Sequence, residues 1–155
     1  MEKFKIYSNI DEILDMAIKM EEGSYSFYMD LAKKAQSKGS KEKFIEFANE
    51  EVKHKELLEK IKADKSIVVS SEIVANLKVS SYLTMSHTEG GEMSYQDSLI
   101  LAMKREKAAY MLYTKLAGKV EPGNVRDVLL MLAQEEAKHK LQYEIEYDEL
   151  VYKEN

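Results

Sequence analysis

The sequence predicts an all-α protein, a bundle of four helices made of two repeated helical hairpins joined by a long crossover. Three observations favour this fold. The 155 residues contain one proline and no tryptophan and are rich in aliphatic, Met, Tyr and charged residues, which is typical of helical chains. Apolar residues recur at steps of three and four. Residues 9–61 also align without a gap on residues 94–146.

The first hairpin is predicted from a cap, two apolar stripes and a break. Asn9 can cap the first helix, with Glu12 three residues later. The stripe that follows is Leu14, Ala17, Ser24, Tyr28, Leu31 and Ala35. Residues 36–40 (QSKGS) interrupt the pattern. A second helix then carries the stripe Phe44, Phe47, Leu58 and Ile61.

The second hairpin follows the same plan. Ser94 with Asp97 predicts the start of a third helix. Residues 122–124 (PGN) break the chain again, and Asn124 can cap a fourth helix. The crossover at 62–94 is too long for a simple turn, and a single long crossover between hairpins is the connection of ferritin-like bundles. We expect one domain over 1–155, with hairpins 9–61 and 94–146 and a helical extension or tail at 147–155.

Composition excludes several classes of function. The net charge of −5 argues against a nucleic-acid partner, which favours a basic face. No apolar run reaches the ~18 residues of a membrane span, and the first residues lack the apolar core of a signal peptide. A cytoplasmic location is therefore expected. The absence of cysteine excludes disulfides, thiolate metal ligands and a cysteine nucleophile within this chain.

The internal repeat selects a small set of polar residues. At a shift of 85, 16 of the 53 aligned pairs are identical. A duplicated hairpin and pseudo-twofold symmetry follow. The identical pairs include Glu21/Glu106, Tyr25/Tyr110, Tyr28/Tyr113, Glu51/Glu136 and His54/His139.

These repeated acids and histidines interrupt the apolar stripes. Residues i and i+3 share a helix face, so Glu51 with His54, and likewise Glu136 with His139, can face one metal ion. Glu21 and Glu106 lie on the stripes of the other two helices. Four carboxylates in one core repel each other at a high cost in free energy, which two divalent cations would cancel. Carboxylate oxygen with imidazole nitrogen suits iron, manganese or zinc and does not suit copper(I).

The pattern resembles a known family. A Glu on one helix and a Glu-x-x-His on the other, in each hairpin, is the ligand set of ferritin-like di-metal carboxylate proteins. "E..SY..Y..LA", followed 30 residues after its Glu by "EE.KH", resembles the rubrerythrin branch. The resemblance implies that Glu21 and Glu106 are terminal or shifting ligands, Glu51 and Glu136 bridge two metals, and each histidine binds one. It also implies that Tyr28 and Tyr113 hydrogen-bond the ligand carboxylates.

The resemblance further implies a non-haem di-iron oxidoreductase that reduces hydrogen peroxide or dioxygen. Its cofactor would be two iron ions, with manganese or zinc as alternatives. Rubrerythrins carry a four-cysteine, rubredoxin-like iron site that this chain lacks, so an external donor such as a rubredoxin-like protein would supply electrons, and a homodimer is expected. Ala109 stands where rubrerythrins usually add a carboxylate. The alternative function is ferritin-type iron storage without redox turnover.

Some assignments compete with this ligand set. Glu50 and Glu135 lie four residues before the histidines and are rival ligands, although the apolar stripe favours Glu51 and Glu136 and leaves Glu50 on the solvated face. Glu22 competes with Glu21, but its repeat partner is Lys107, which cannot bind a metal. Tyr25 and Tyr110 are expected to pack, and His87 to lie on the surface.

Overall fold

The computed structural model describes residues 10–63 and 93–154, which form four α-helices. They are α1 (Ile10–Lys34), α2 (Lys38–Ala63), α3 (Tyr95–Ala117) and α4 (Asn124–Glu154). Helices α1 and α2 pair as one hairpin and α3 and α4 as the other, with α1 against α3 and α2 against α4 between hairpins. The predicted all-α four-helix bundle is confirmed.

The predicted features of residues 1–9 and 64–92 lie outside the described residues. They include the Asn9 cap, His87 and nearly all of the crossover. Helix α4 runs on to Glu154, so most of the predicted extension at 147–155 is helical. None of the four described helices contains an apolar stretch of the length and hydropathy that a membrane span requires.

Side chains and backbone at the turns fix where the helices begin. The Ser37 hydroxyl accepts the Ser40 N–H at 3.1 Å and so caps α2. The Ser94 hydroxyl accepts the Asp97 N–H at 3.1 Å, as predicted for α3. The predicted cap at Asn124 is wrong by one residue, because the Asp127 N–H bonds to the Gly123 carbonyl at 3.0 Å. Gly123 has φ of +153°, a conformation that glycine adopts without strain.

Two apolar clusters occupy the bundle, and every helix contributes to both. The first contains Leu14, Ala17, Leu58, Leu112, Leu116, Leu129 and Leu132 among others. The second contains Tyr28, Leu31, Phe44, Leu99, Ala102 and Tyr143 among others. Along each helix, the repeated Glu or Glu/His residues come between the positions that join one cluster and those that join the other. The polar residues therefore lie inside the bundle, between the two apolar clusters.

Candidate metal centre

All six predicted ligand residues are buried in the middle of the bundle. Each is at most 4% exposed, and they are Glu21, Glu51, His54, Glu106, Glu136 and His139. Their donor atoms form two groups, within each of which all atoms lie within 4.8 Å of one another. One group is Glu21, Glu51, His54 and Glu136, and the other is Glu51, Glu106, Glu136 and His139. Glu51 and Glu136 belong to both groups.

Distances from the histidine nitrogens show the same sharing. His54 Nδ1 lies 3.2 Å from Glu136, 3.3 Å from Glu51 and 3.5 Å from Glu21. His139 Nδ1 lies 3.4 Å from Glu51, 3.5 Å from Glu106 and 3.8 Å from Glu136. Each imidazole thus faces one carboxylate of its own and two that it shares, as the pseudo-twofold repeat requires.

The arrangement is electrostatically costly without a cation. Burial, followed by the charge of Glu51, raises the pKa of Glu136 to about 8. Burial and the charge of Glu136 raise the pKa of Glu106 to about 8, and the pKa values of Glu21 and Glu51 are also raised, chiefly by burial. Burial alone would lower the pKa of His54, but its contacts with Glu136, Glu21 and Glu51 raise it to about 12. The metal-free cluster therefore retains protons near neutral pH.

The donor atoms fit a metal because they lack other partners. Within the described residues, eight of the cluster's buried atoms form no hydrogen bond: Glu21 Oε2, both oxygens of Glu51 and of Glu106, Glu136 Oε1, and Nδ1 of His54 and of His139. Unpaired buried polar atoms are unusual and call for an explanation such as an ion. Hard carboxylate oxygens with imidazole nitrogens are a donor set for iron, manganese or zinc. The cluster is a candidate metal centre.

Glu50 contacts His139, which the sequence did not predict. The expectation that it lies on the solvated face is wrong, because its side chain is about one-third exposed and its Oε2 lies 2.5 Å from His139 Nε2. Glu50 belongs to neither donor group. In the neutral ring, an Nε2–H that donates to Glu50 leaves the Nδ1 lone pair facing the cluster, which is the way carboxylates orient metal-binding histidines. The contact with His139 also lowers the pKa of Glu50.

The repeat does not reproduce this contact in the other hairpin. Glu135 aligns with Glu50, but its side chain forms no hydrogen bond or ion pair with any described residue.

We expect Glu50→Ala to weaken divalent metal binding by roughly tenfold, the low end of what orienting carboxylates contribute. A titration of metal-free protein with Co²⁺ measures this. Glu135→Ala is the matched control and should bind as the wild type does; equal losses in both variants would contradict an orienting role for Glu50.

The two predicted tyrosines differ in the structure. The Tyr113 hydroxyl donates to Glu21 Oε1 at 2.5 Å. The Tyr28 hydroxyl is fully buried and forms no hydrogen bond with the described residues, while its ring packs edge-on to His139. The expectation that Tyr25 and Tyr110 pack is wrong, because they are 37% and 41% exposed.

A cleft reaches the cluster from one side of the bundle. It has a volume of about 250 Å³, lies between α1 and α2, and is lined by Glu21, Glu22, Tyr25, Ser26, Glu51, Val52 and Lys55. Lys55 and Glu22 form an ion pair at 2.8 Å beside it. The rival ligand Glu22 is half-exposed and thus lies outside the cluster.

Comparisons with known proteins agree with this fold. A structure from Thermotoga maritima, described as a candidate ferritin-like diiron-carboxylate protein, has a TM-score of 0.69 at 19% identity, over 91% of this chain and 95% of that one. A hypothetical protein from Pyrococcus furiosus has a TM-score of 0.67 at 28% identity, over 93% and 91%. No curated protein matches significantly. The rubrerythrin family model matches residues 12–147, and since this is most of the chain, the protein belongs to the rubrerythrin family.

Proposed function

We propose that the protein is a non-haem di-iron oxidoreductase that reduces hydrogen peroxide or dioxygen with electrons from an external donor. One observation carries the proposal: two Glu/His donor groups share Glu51 and Glu136 inside the bundle. Shared carboxylates suit two adjacent cations, and two divalent ions balance the four negative charges. Membership of the rubrerythrin family supports iron as the metal.

In this proposal, one iron would be held by Glu21 and His54 and the other by Glu106 and His139. Glu51 and Glu136, which belong to both donor groups, would bind both irons. Tyr113 holds Glu21 through its hydroxyl, and Glu50 orients the imidazole of His139. Because the apolar clusters lie on both sides, the protein excludes bulk water along the bundle axis, which strengthens electrostatic interactions within the site.

The proposed substrate is small because the approach to the centre is small. Reduction of hydrogen peroxide to two waters consumes two electrons and two protons, and two irons supply one electron each when bound. The cleft of about 250 Å³ is smaller than the ~300–1,000 Å³ typical of pockets for larger organic ligands. Its size, and the presence of Glu21 and Glu51 in its lining, favour peroxide or dioxygen over an organic substrate.

The electrons are proposed to come from a separate donor, such as a rubredoxin-like protein. The chain contains no cysteine and so provides no cysteine-bound iron that could relay them. We also propose a homodimer as the assembled form, in keeping with the family resemblance.

The function is tested by loading the metal-free protein with two equivalents of Fe²⁺ under anaerobic conditions and adding peroxide. We expect an absorbance that appears on oxidation, bleaches on reduction and returns with fresh peroxide, together with peroxide consumption when a donor is present. Glu135→Gln, outside both donor groups, should behave as the wild type. A protein that binds two irons but consumes no peroxide or dioxygen with any donor would refute the proposal, and iron uptake into a large cage on light scattering would favour storage.

A further inference from the structure

Arg105 is buried beside the candidate metal centre, where the internal repeat is broken. It is 5% exposed and directly precedes Glu106 in α3. At the shift of 85, Arg105 aligns with Met20, while Gly23 and Ser24 align with Ala108 and Ala109. These three differences between otherwise similar hairpins meet at one place in the structure.

The first hairpin has the residues that accommodate the guanidinium. Arg105 Nη2 donates to Ser24 Oγ at 3.0 Å, and the guanidinium carbon lies 5.2 Å from the centre of the Phe27 ring. A Cβ at Gly23 would lie 3.3 Å from Nη2, a tight contact that glycine avoids. Glycine inside a helix is destabilising relative to alanine, and the room that Arg105 needs gives a reason for glycine at this position.

The charge of Arg105 acts on the same carboxylates that face the histidines. Burial lowers the pKa of Arg105, and the negative charges of Glu51, Glu21 and Glu136 oppose this effect. Arginine stays charged in proteins. Two divalent cations would neutralise the four glutamates, and the positive charge of Arg105 would then lie beside the loaded centre. A cation in this position repels the metals, and it repels trivalent ions more than divalent ones.

We propose that Arg105 is a positioning residue that supplies a fixed positive charge to the centre, weakening cation binding and favouring the divalent over the trivalent state of the metals. This inference rests on the proposed function, because it assumes that the cluster binds metal. Arg105 would favour the reduced centre, which is the state that delivers electrons to an oxidant. The first hairpin has no equivalent charge, since Met20, which aligns with Arg105, is uncharged.

The test compares Arg105→Met, which installs the residue found at the repeat position, with Arg105→Lys, which keeps the charge. Metal-free proteins are titrated with Co²⁺, a probe that requires no turnover. We expect Arg105→Met to bind Co²⁺ about tenfold more tightly than the wild type, and Arg105→Lys to stay within about threefold of it. In the iron-loaded proteins, the midpoint potential should fall in Arg105→Met and change little in Arg105→Lys.

Arg105→Gln serves as a second neutral variant if Arg105→Met does not fold by circular dichroism, and it should shift both readouts in the same direction. Neutral variants that bind Co²⁺ no more tightly than the wild type, or a Lys variant that shifts as far as the neutral ones, would overturn the inference and leave the proposed function intact. Failure of the wild type to bind Co²⁺ or Fe²⁺ at all would instead refute the proposed function.

Discussion

The metal-free protein is expected to lose stability as the pH rises from 5.5 to 8, because its buried carboxyls hold protons that the unfolded chain releases. The pKa values of Glu106 and Glu136 are raised to about 8 by burial and by their carboxylate neighbours, whereas both groups titrate near 4.5 in the unfolded chain. Between these values the folded state holds protons that the unfolded state has lost. Stability is therefore fully present below about pH 4.5 and falls as the pH approaches 8.

The histidines act in the same direction. The pKa of His54 is raised to about 12 by its carboxylate contacts, so above pH 6.5 the folded protein also retains this proton and loses stability as the pH rises further. One retained proton changes the free energy of unfolding by about 1.4 kcal/mol per pH unit. Over 2.5 units we expect a loss of about 3 kcal/mol or more, or roughly 6–12 °C in Tm.

Bound metal should reverse this trend. Divalent cations displace the protons from carboxyls and imidazoles, so the affinity for metal rises with pH, and the stabilisation that it adds grows from pH 5.5 to 8. Thermal unfolding with and without Fe²⁺ or Zn²⁺, at both pH values, measures the difference in Tm between the metal-bound and the metal-free protein. A difference in Tm that is constant or shrinks as the pH rises would contradict the assignment of the protonated cluster as the metal site.

The sequence contained enough information for the bundle and for the six clustered residues. Glu51 and Glu136 follow apolar positions at steps of three and four, and helical periodicity alone assigns them to the buried face. The repeat then distinguished Glu21 from Glu22, because only Glu21 has an acidic counterpart. The first inference needs only the spacing of residues along one helix, and the second needs only the comparison of two segments of the same chain, so neither depends on contacts between helices.

Contacts across helices were not readable in the same way. Glu50 reaches His139 from α2 to α4, so its role depends on the spacing of the two helices and on a side-chain rotamer. Arg105 was missed because charged residues are seldom buried, and the signal for it, a helix-interior Gly23 opposite Arg105 in the folded bundle, becomes visible only when α1 and α3 are seen together. Tyr25 lines the same cleft as Glu21. No described helix fills this cleft, and that could not be read from the sequence of α1 alone.

Replacing Glu136 with Gln is expected to stabilise the metal-free protein and to abolish tight metal binding. Glu136 is 1% exposed, and its ionised form is opposed by burial and by the charge of Glu51. Removing that charge relieves the repulsion and should raise the free energy of unfolding at pH 8 by about 1–3 kcal/mol, less than the pKa shift alone suggests because neighbouring groups relax. The same change removes a carboxylate shared by both donor groups, so metal affinity should fall by at least ~100-fold.

The opposite signs of these two effects separate a metal ligand from a structural glutamate. Chemical denaturation of Glu136→Gln and wild type, each with and without Zn²⁺, should show the variant more stable without metal and less stable with it. Its loss of stability between pH 5.5 and 8 should also shrink, since one carboxyl no longer titrates. Glu135→Gln, the adjacent half-buried position, is the control and should leave all three quantities unchanged. If Glu136→Gln destabilised the metal-free protein and still bound Zn²⁺ tightly, Glu136 would be a structural hydrogen-bonding residue and the cluster would need another explanation.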